Sequence, residues 1–252
     1  MTNVRLSYRI WMTPRTGSTL LCEGLAATQR AGRPNEFFNT ENLIETYQTI
    51  DYQSFKEQIW GQGTTANGVF GIKHSMIMGR YQAWLKDIAK MRGQVLLKPI
   101  DEEIFWSDLF PNCKHIFLTR RHKVRQAVSW WRAIQSEQWH LRPGEKLEDN
   151  EAFNEERYDA AALQSLLQNA SLRETGLQEY FDRNQIIPLT VVYEDMIADF
   201  TGTIRRILAF LELSQEDLPS IPMALRPTAT SGTEAWVRRL QMELRDPAHL
   251  IW

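Results

Sequence analysis

The run from Tyr8 to Met12 reads as a strand that feeds directly into Thr13-Pro14-Arg15-Thr16-Gly17-Ser18-Thr19 and then into an apolar-periodic helix. A strand that ends in a turn rich in Gly, Ser and Thr at a helix start aims free backbone N–H groups and the positive helix end at one point. The pattern predicts an anion-binding loop.

In physical terms the loop is close to a Walker A loop, which needs a glycine, four residues and then Gly-Lys-Ser/Thr. Here no glycine precedes Gly17 in the loop and no lysine follows it. The cation, Arg15, comes ahead of the glycine instead. A phosphate nest with an arginine in place of the lysine is still an anion cradle. The Mg-dependent half of the signature is missing, which discounts an ordinary nucleoside triphosphatase.

Strand and helix patterns alternate along the chain, as in a mostly parallel sheet with helices on both faces. Strands are expected at about Leu6 to Met12, Val69 to Lys73, Lys114 to Thr119 and Ile187 to Tyr193, with Gln94 to Leu97 a weaker candidate. Helices are expected at about Ser18 to Thr28, Glu102 to Leu109, His122 to Gln138, Asn154 to Arg183 and Thr201 to Leu211. Two polar stretches, Thr40 to Asn67 and Leu141 to Asn150, read as excursions from the core. On the helix after Arg120, Val124, Ala127, Val128 and Trp131 share one face, while Arg125, Ser129 and Arg132 share another that is polar and cationic.

Pro14-Arg15-Thr16-Gly17-Ser18-Thr19-Leu20-Leu21 resembles the 5′-phosphosulfate loop of sulfotransferases, whose donor is 3′-phosphoadenosine 5′-phosphosulfate (PAPS). The order and spacing of Ala31-Gly32-Arg33-Pro34-Asn35-Glu36-Phe37-Phe38, Gly71-Ile72-Lys73, Thr119-Arg120 and Gln126-Ala127-Val128-Ser129-Trp130-Trp131-Arg132-Ala133 sharpen it. So do Val192-Tyr193-Glu194-Asp195 and Glu234-Ala235-Trp236-Val237. Over most of its length the chain resembles the bacterial trehalose 2-sulfotransferase family. The resemblance implies one sulfotransferase domain over residues 1–252, with a P-loop-like three-layer α/β fold. It also implies a carbohydrate or glycolipid hydroxyl as acceptor, 3′,5′-ADP as product, no metal requirement and a homodimer.

Site residues follow from loop chemistry and resemblance together. Arg15 is the candidate for the leaving oxygen, with the backbone of Thr16, Gly17, Ser18 and Thr19 on the 5′ side. The resemblance assigns Arg120 and Ser129 to the 3′-phosphate, and a dianion does need a guanidinium fork and a hydroxyl. Arg226, in Leu225-Arg226-Pro227-Thr228-Ala229-Thr230, is a further phosphate-binding candidate. The resemblance places the catalytic carboxylate at Glu36, where Pro34, Phe37 and Phe38 would partly desolvate it. Lys73 is expected to reach the sulfonate or the acceptor. His74 stands where the family is expected to be apolar; because many sulfotransferases use a histidine base beside such a lysine, it is the rival to Glu36. Arg121, Arg125 and Arg132 read equally well as solvated charges.

Composition bounds the rest. With 252 residues, 43% hydrophobic and 24% charged, the chain has enough apolar content for one sizeable core. A net charge of −2 argues against a nucleic-acid binder that relies on a global basic field. Cys22 and Cys113 lack metal spacing and read as buried apolar residues. No run nears the ~20 apolar residues of a membrane span and no signal-peptide pattern opens the chain, which predicts a cytoplasmic protein. Of the nine tryptophans, Trp84, Trp106 and Trp131 read as core, while Trp130, Trp139 and Trp236 stay open to a sugar-stacking role. Two other function classes remain: a P-loop-like small-molecule kinase, and a nucleotide-binding module without turnover.

Overall fold

The computed structural model describes residues 3–75, 77–96, 100–146, 157–218, 220–225 and 231–245. A strand buried along its whole length belongs inside a sheet, and β1 (Leu6–Met12) has all seven residues buried. It lies between β2 (Val69–Ser75) and β3 (Cys113–Thr119), and β4 (Leu189–Val192) flanks β3, giving the order β2-β1-β3-β4. Every pairing is parallel. The strands therefore all end at one edge, where Met12 pairs with Ser75 and Thr119 with Val192.

Parallel neighbours need crossovers, and helices supply them. The first carries α1 (Ser18–Ala27), α2 (Leu43–Tyr47) and α3 (Tyr52–Gly63), and the second α4 (Met78–Met91) and α5 (Glu102–Ser107). The third carries α6 (Lys123–Ser136) and α7 (Ala160–Arg183). After β4 come α8 (Tyr193–Ala198), α9 (Phe200–Phe210) and α10 (Ser231–Leu244). The two-residue period of β1 divides its side chains between two cores. Tyr8, Ile10 and Met12 pack with Leu21 and Leu25 of α1 and Ile204 and Ile207 of α9. Trp11 faces the other core, an aromatic one built from Phe38, Phe55, Trp84, Trp106, Phe110 and Phe181. A third cluster, with Val128, Leu163, Trp236 and Leu240, joins α6, α7 and α10.

Several expectations need correction. The stretch 40–67 carries α2 and α3, whose N-caps Asn42 and Asp51 accept hydrogen bonds from the N–H groups of Glu45 and Ser54. Each buries a narrow stripe, Leu43 in one and Phe55 and Ile59 in the other, so polar residues dominate the local composition. Residues 94–96 form no strand, because Gly93 at φ 65° closes α4 and Val95 is exposed; Leu97 lies outside the described residues. The helix expected from Asn154 begins at Ala160 behind the cap Asp159, and 154–156 lie outside the description. The last strand starts at Leu189 rather than Ile187, which is 92% exposed ahead of Pro188. Trp131 is half-buried, whereas Trp130 and Trp236 are buried.

The approach to β2 hinges on Gly32. At φ 71°, it sits so close to the sheet that a Cβ would lie 2.8 Å from the Gly71 nitrogen and 2.9 Å from the carbonyl oxygens of Gly63 and Val69. Gly32→Ala is expected to lower unfolding free energy in urea by about 1–3 kcal/mol, since left-handed strain and a backbone clash coincide. Gly176→Ala, in open space within α7, is expected to raise it by about 0.5–1 kcal/mol.

Candidate active site

At the carboxyl edge, Thr13 to Gly17 turn β1 into α1 through two left-handed residues, Arg15 at φ 67° and Gly17 at φ 82°. The turn is closed by the Thr16 hydroxyl, which donates to the Thr13 carbonyl at 2.8 Å. It is clamped by the buried Gln126 of α6, whose amide donates to the Thr13 hydroxyl and the Pro14 carbonyl, both at 2.8 Å. Gly17 is the N-cap of α1 and offers no capping side chain. The first N–H groups of α1 are thus left for a ligand. A Cβ on Gly17 would lie 2.6 Å from the Tyr193 ring, so the loop rests directly on that ring.

Around this turn the cations gather. Arg15 donates through Nε to the Ser129 hydroxyl at 3.0 Å and through Nη1 to the Trp139 carbonyl. Arg120 donates to the Arg15 carbonyl at 3.1 Å, and its guanidinium carbon lies 4.5 Å from the Tyr193 ring centroid. With Arg125 and Arg132 they line a cavity of about 320 Å³, to which Ile197, Met223 and Leu225 add apolar surface. Burial, then the repulsion of Arg120 and Arg132, lowers the Arg15 pKa to about 10. The other two arginines read as solvated charges are ion-paired: Arg121 with Asp195 at 3.0 Å, and Arg125 with Glu234.

A second branch reaches the same helix end from β2. The chain before Glu36 is tied to the sheet, with Asn35 bridged to Ile72 and its carbonyl accepting from the Lys73 N–H at 3.1 Å. Phe37 and Phe38 are buried in the aromatic core, so Glu36 is anchored on both sides. Its carboxylate lies 3.8 Å from the Lys73 ammonium, which donates to the Thr19 hydroxyl at 3.0 Å. That hydroxyl is also 3.3 Å from Nε2 of His140. One polar chain therefore joins Glu36 to the first turn of α1.

A family model described as Stf0 sulphotransferase matches residues 7–243. The chain belongs to the Stf0 sulphotransferase family. It is 27% identical to trehalose 2-sulfotransferase of Mycobacterium tuberculosis over 267 residues, covering 94% of each chain. To trehalose 2-sulfotransferase of Mycolicibacterium smegmatis it is 28% identical, covering 94% of this chain and 95% of the other. A crystal structure of a sulfotransferase from Alicyclobacillus acidocaldarius aligns with a TM-score of 0.47 at 17% identity, covering 97% of this chain and 98% of that one. Among the described residues, no helix is long and apolar enough to cross a membrane.

Within this Stf0 chain, Arg15, Gly17, Ser18, Thr19, Arg120 and Ser129 line one cavity, and Thr16 braces its loop. Glu36 and Lys73 adjoin it through Thr19. His74 does not. The strand pleat turns it to the opposite face from Lys73, where it packs among Trp11, Phe38 and Trp84 and accepts from Nε of Arg9 at 3.2 Å. Burial and then Arg9 hold its pKa well below the ordinary range. Arg226 lies outside the described residues. Sequence reasoning gave no role to Gln126, Tyr193 or His140. The signal for Gln126 was an amide next to the apolar face of α6; for Tyr193 it was its place in Val192-Tyr193-Glu194-Asp195. His140 carried no local signal.

Burial, followed by the charges of Arg15, Lys73 and Arg142, lowers the His140 pKa to about 4. Its folded value lies below the ordinary ~6.5, so the unfolded chain takes up this proton first. The group therefore removes stability as pH falls from about 6.5 to about 4. A sulfate ion in the cavity offsets those cations, and NMR titration of the imidazole is expected to move upward from about 4 on adding sulfate. His115 is held at about 3 by burial and Arg9 beneath the other face and should not move, which makes it the internal control. No shift at His140 would remove the anion from this cavity.

Proposed function

We propose that this Stf0 sulphotransferase is a single domain over residues 1–252 that moves a sulfonate from PAPS to a hydroxyl of a carbohydrate. Its two trehalose 2-sulfotransferase relatives support the acceptor class. The observation that carries the reading is the convergence on one cavity of an uncapped helix start, four arginines and, through Thr19, a carboxylate with its ammonium partner. The donor is a polyanion. Buried arginines repelling one another match that charge; Glu194, 3.8 Å from Arg120 Nε, is near enough to offset part of one of them without a hydrogen bond to that nitrogen. The apolar surface of Ile197, Met223 and Leu225 suits a purine ring.

The roles divide by position. The N–H groups of the Thr16 to Thr19 turn hold the 5′ side, and Arg120 with Ser129 holds the 3′-phosphate. As the acceptor oxygen bonds to sulfur, its proton passes to Glu36. The bond from sulfur to the 5′-phosphate oxygen breaks with its electron pair on that oxygen. Arg15 meets the charge that develops there, and Lys73 stands between the sulfonate and Glu36.

Calorimetric titration with 3′,5′-ADP, 5′-ADP and ATP, each with and without Mg, tests the donor. Metal-independent preference for 3′,5′-ADP is expected, and preference for ATP with Mg would replace the reading by a kinase. Arg120→Ala is expected to weaken 3′,5′-ADP by roughly 2–4 kcal/mol and to leave 5′-AMP nearly unchanged, because one charge-assisted contact to one phosphate is lost. Equal losses for both nucleotides would remove Arg120 from the 3′-phosphate. Glu36→Gln is expected to lower turnover roughly a hundredfold or more with 3′,5′-ADP affinity intact. Full activity in that variant would shift the base elsewhere, and with tight nucleotide binding but no transfer to any acceptor by the unmodified protein, a binding module would be the better description.

A further inference from the structure

Two arginines have no part in the donor cradle. Arg80 comes from the first turn of α4, immediately beyond the carboxyl end of β2, and Arg173 from α7. Both lie at the edge where the strands end, since Glu174, next to Arg173, reaches the Thr13 and Thr119 hydroxyls there. That glutamate is already engaged by the Lys123 ammonium at 2.6 Å. Among the described residues, neither Arg80 nor Arg173 has a carboxylate within salt-bridge distance. The start of α4 packs on α7, with the Tyr81 and Tyr180 ring centroids 5.9 Å apart, and after burial it is repulsion by Arg80 that lowers the Arg173 pKa.

Each guanidinium is nevertheless held in place. Arg173 has its guanidinium carbon 5.2 Å from the Trp130 ring centroid, and Trp130 follows the Ser129 that receives Arg15. Arg80 donates through Nη1 to the Asn39 side-chain oxygen at 2.9 Å. Asn39 closes the turn that Glu36 opens, its N–H donating to the Glu36 carbonyl at 3.2 Å. Nε of Arg80 is buried without an acceptor, and so is the hydroxyl of Ser75 at the end of β2. A buried donor left unpaired costs free energy, and two like charges brought together without an anion add to that cost. An anionic group on a ligand relieves both, and guanidinium forks fit a phosphate or a carboxylate equally well.

We propose that the acceptor is an anionic sugar whose phosphate or carboxylate is held by Arg80 and Arg173 while its hydroxyl faces Glu36. This rests on the sulfotransferase reading of the site and narrows it from carbohydrates in general to charged ones. A neutral sugar leaves the arginine pair uncompensated and binds more weakly.

The test is calorimetry with acceptor probes on the protein saturated with 3′,5′-ADP, so that the donor cradle cannot capture the anion. Glucose 6-phosphate and trehalose 6-phosphate are compared with glucose and trehalose for the phosphate, and glucuronate with glucose for the carboxylate. At least one charged probe is expected to bind tenfold or more tightly than its neutral parent. Arg80→Gln and Arg173→Gln, made separately, are expected to reduce that ratio to threefold or less, while 3′,5′-ADP affinity stays within about twofold. Equal binding of charged and neutral probes, no binding by any probe, or a ratio that survives both substitutions would overturn the proposal. Failure of 3′,5′-ADP itself to bind overturns the donor reading instead, and the charged and neutral probes are then compared on the protein alone.

Discussion

The turn at Arg15 to Gly17 is the constraint on which the site depends. Two left-handed residues two positions apart are costly for a chain of L-residues, and Arg15 has no glycine's exemption. The surroundings hold the turn in that shape. The Tyr193 ring fills the space where a Cβ of Gly17 would stand, and the same ring lies under the Arg120 guanidinium. The next residue, Glu194, accepts from the N–H groups of Arg121 and His122 at 2.9 and 3.1 Å and so fixes the start of α6. From α6 come Gln126, which clamps the turn, and Ser129, which orients Arg15. The junction of β4 and α8, late in the chain, thus supports a loop formed near its beginning.

Charge couples this support to chemistry. Arg15, Arg120 and Arg132 crowd one wall, and the Lys73 ammonium faces both the Thr19 hydroxyl and the Glu36 carboxylate. A pair of unit charges about 4 Å apart attracts by about 4 kcal/mol at an effective dielectric of 20, before desolvation is counted. Glu36 is 29% exposed, so solvent screens much of that attraction; Lys73 is its ionic partner among the described residues. An anion at the α1 terminus and the Glu36 carboxylate compete for one ammonium. Occupancy of the cradle and the placement of Glu36 are therefore linked through a single side chain.

Much of this was legible in the sequence because the informative residues are local. The buried run of β1, the loop and α1 follow one another without interruption, short apolar runs marked β2 and β3, and a 3.6-residue period marked α6. Arg15 stood out as the cation of the loop, and the resemblance pointed to Arg120 at a strand end and Ser129 on the polar face of α6. What stayed hidden depends on contacts between distant segments. Helices α2 and α3 bury so few residues that composition points to a loop, although Asn42 and Asp51 are ordinary caps. Trp236 shows the same limit: it is 1% exposed because α10 packs on α6, a contact no local pattern predicts. The two cations most exposed to misreading, Arg121 and Arg125, find their carboxylates more than 70 residues away.

Lys73 and His74 show how one structural rule separates adjacent residues that sequence reasoning could only rank. Both are polar, both are buried in β2, and both stand near the strand end. The pleat sends them to opposite faces. Lys73 meets the oxygen atoms of Thr19 and Glu36, which stabilise its positive charge. His74 meets four aromatic rings and the Arg9 guanidinium, an environment that keeps the imidazole neutral and away from the cavity. A one-residue slip in the pairing of β2 with β1 would exchange their environments, placing an ammonium in the aromatic core and an imidazole beside Glu36. Register is fixed against that slip by Val69, Phe70 and Ile72, buried residues that would also have to change faces, so the side chain that reaches the cavity is chosen by the packing of its apolar neighbours.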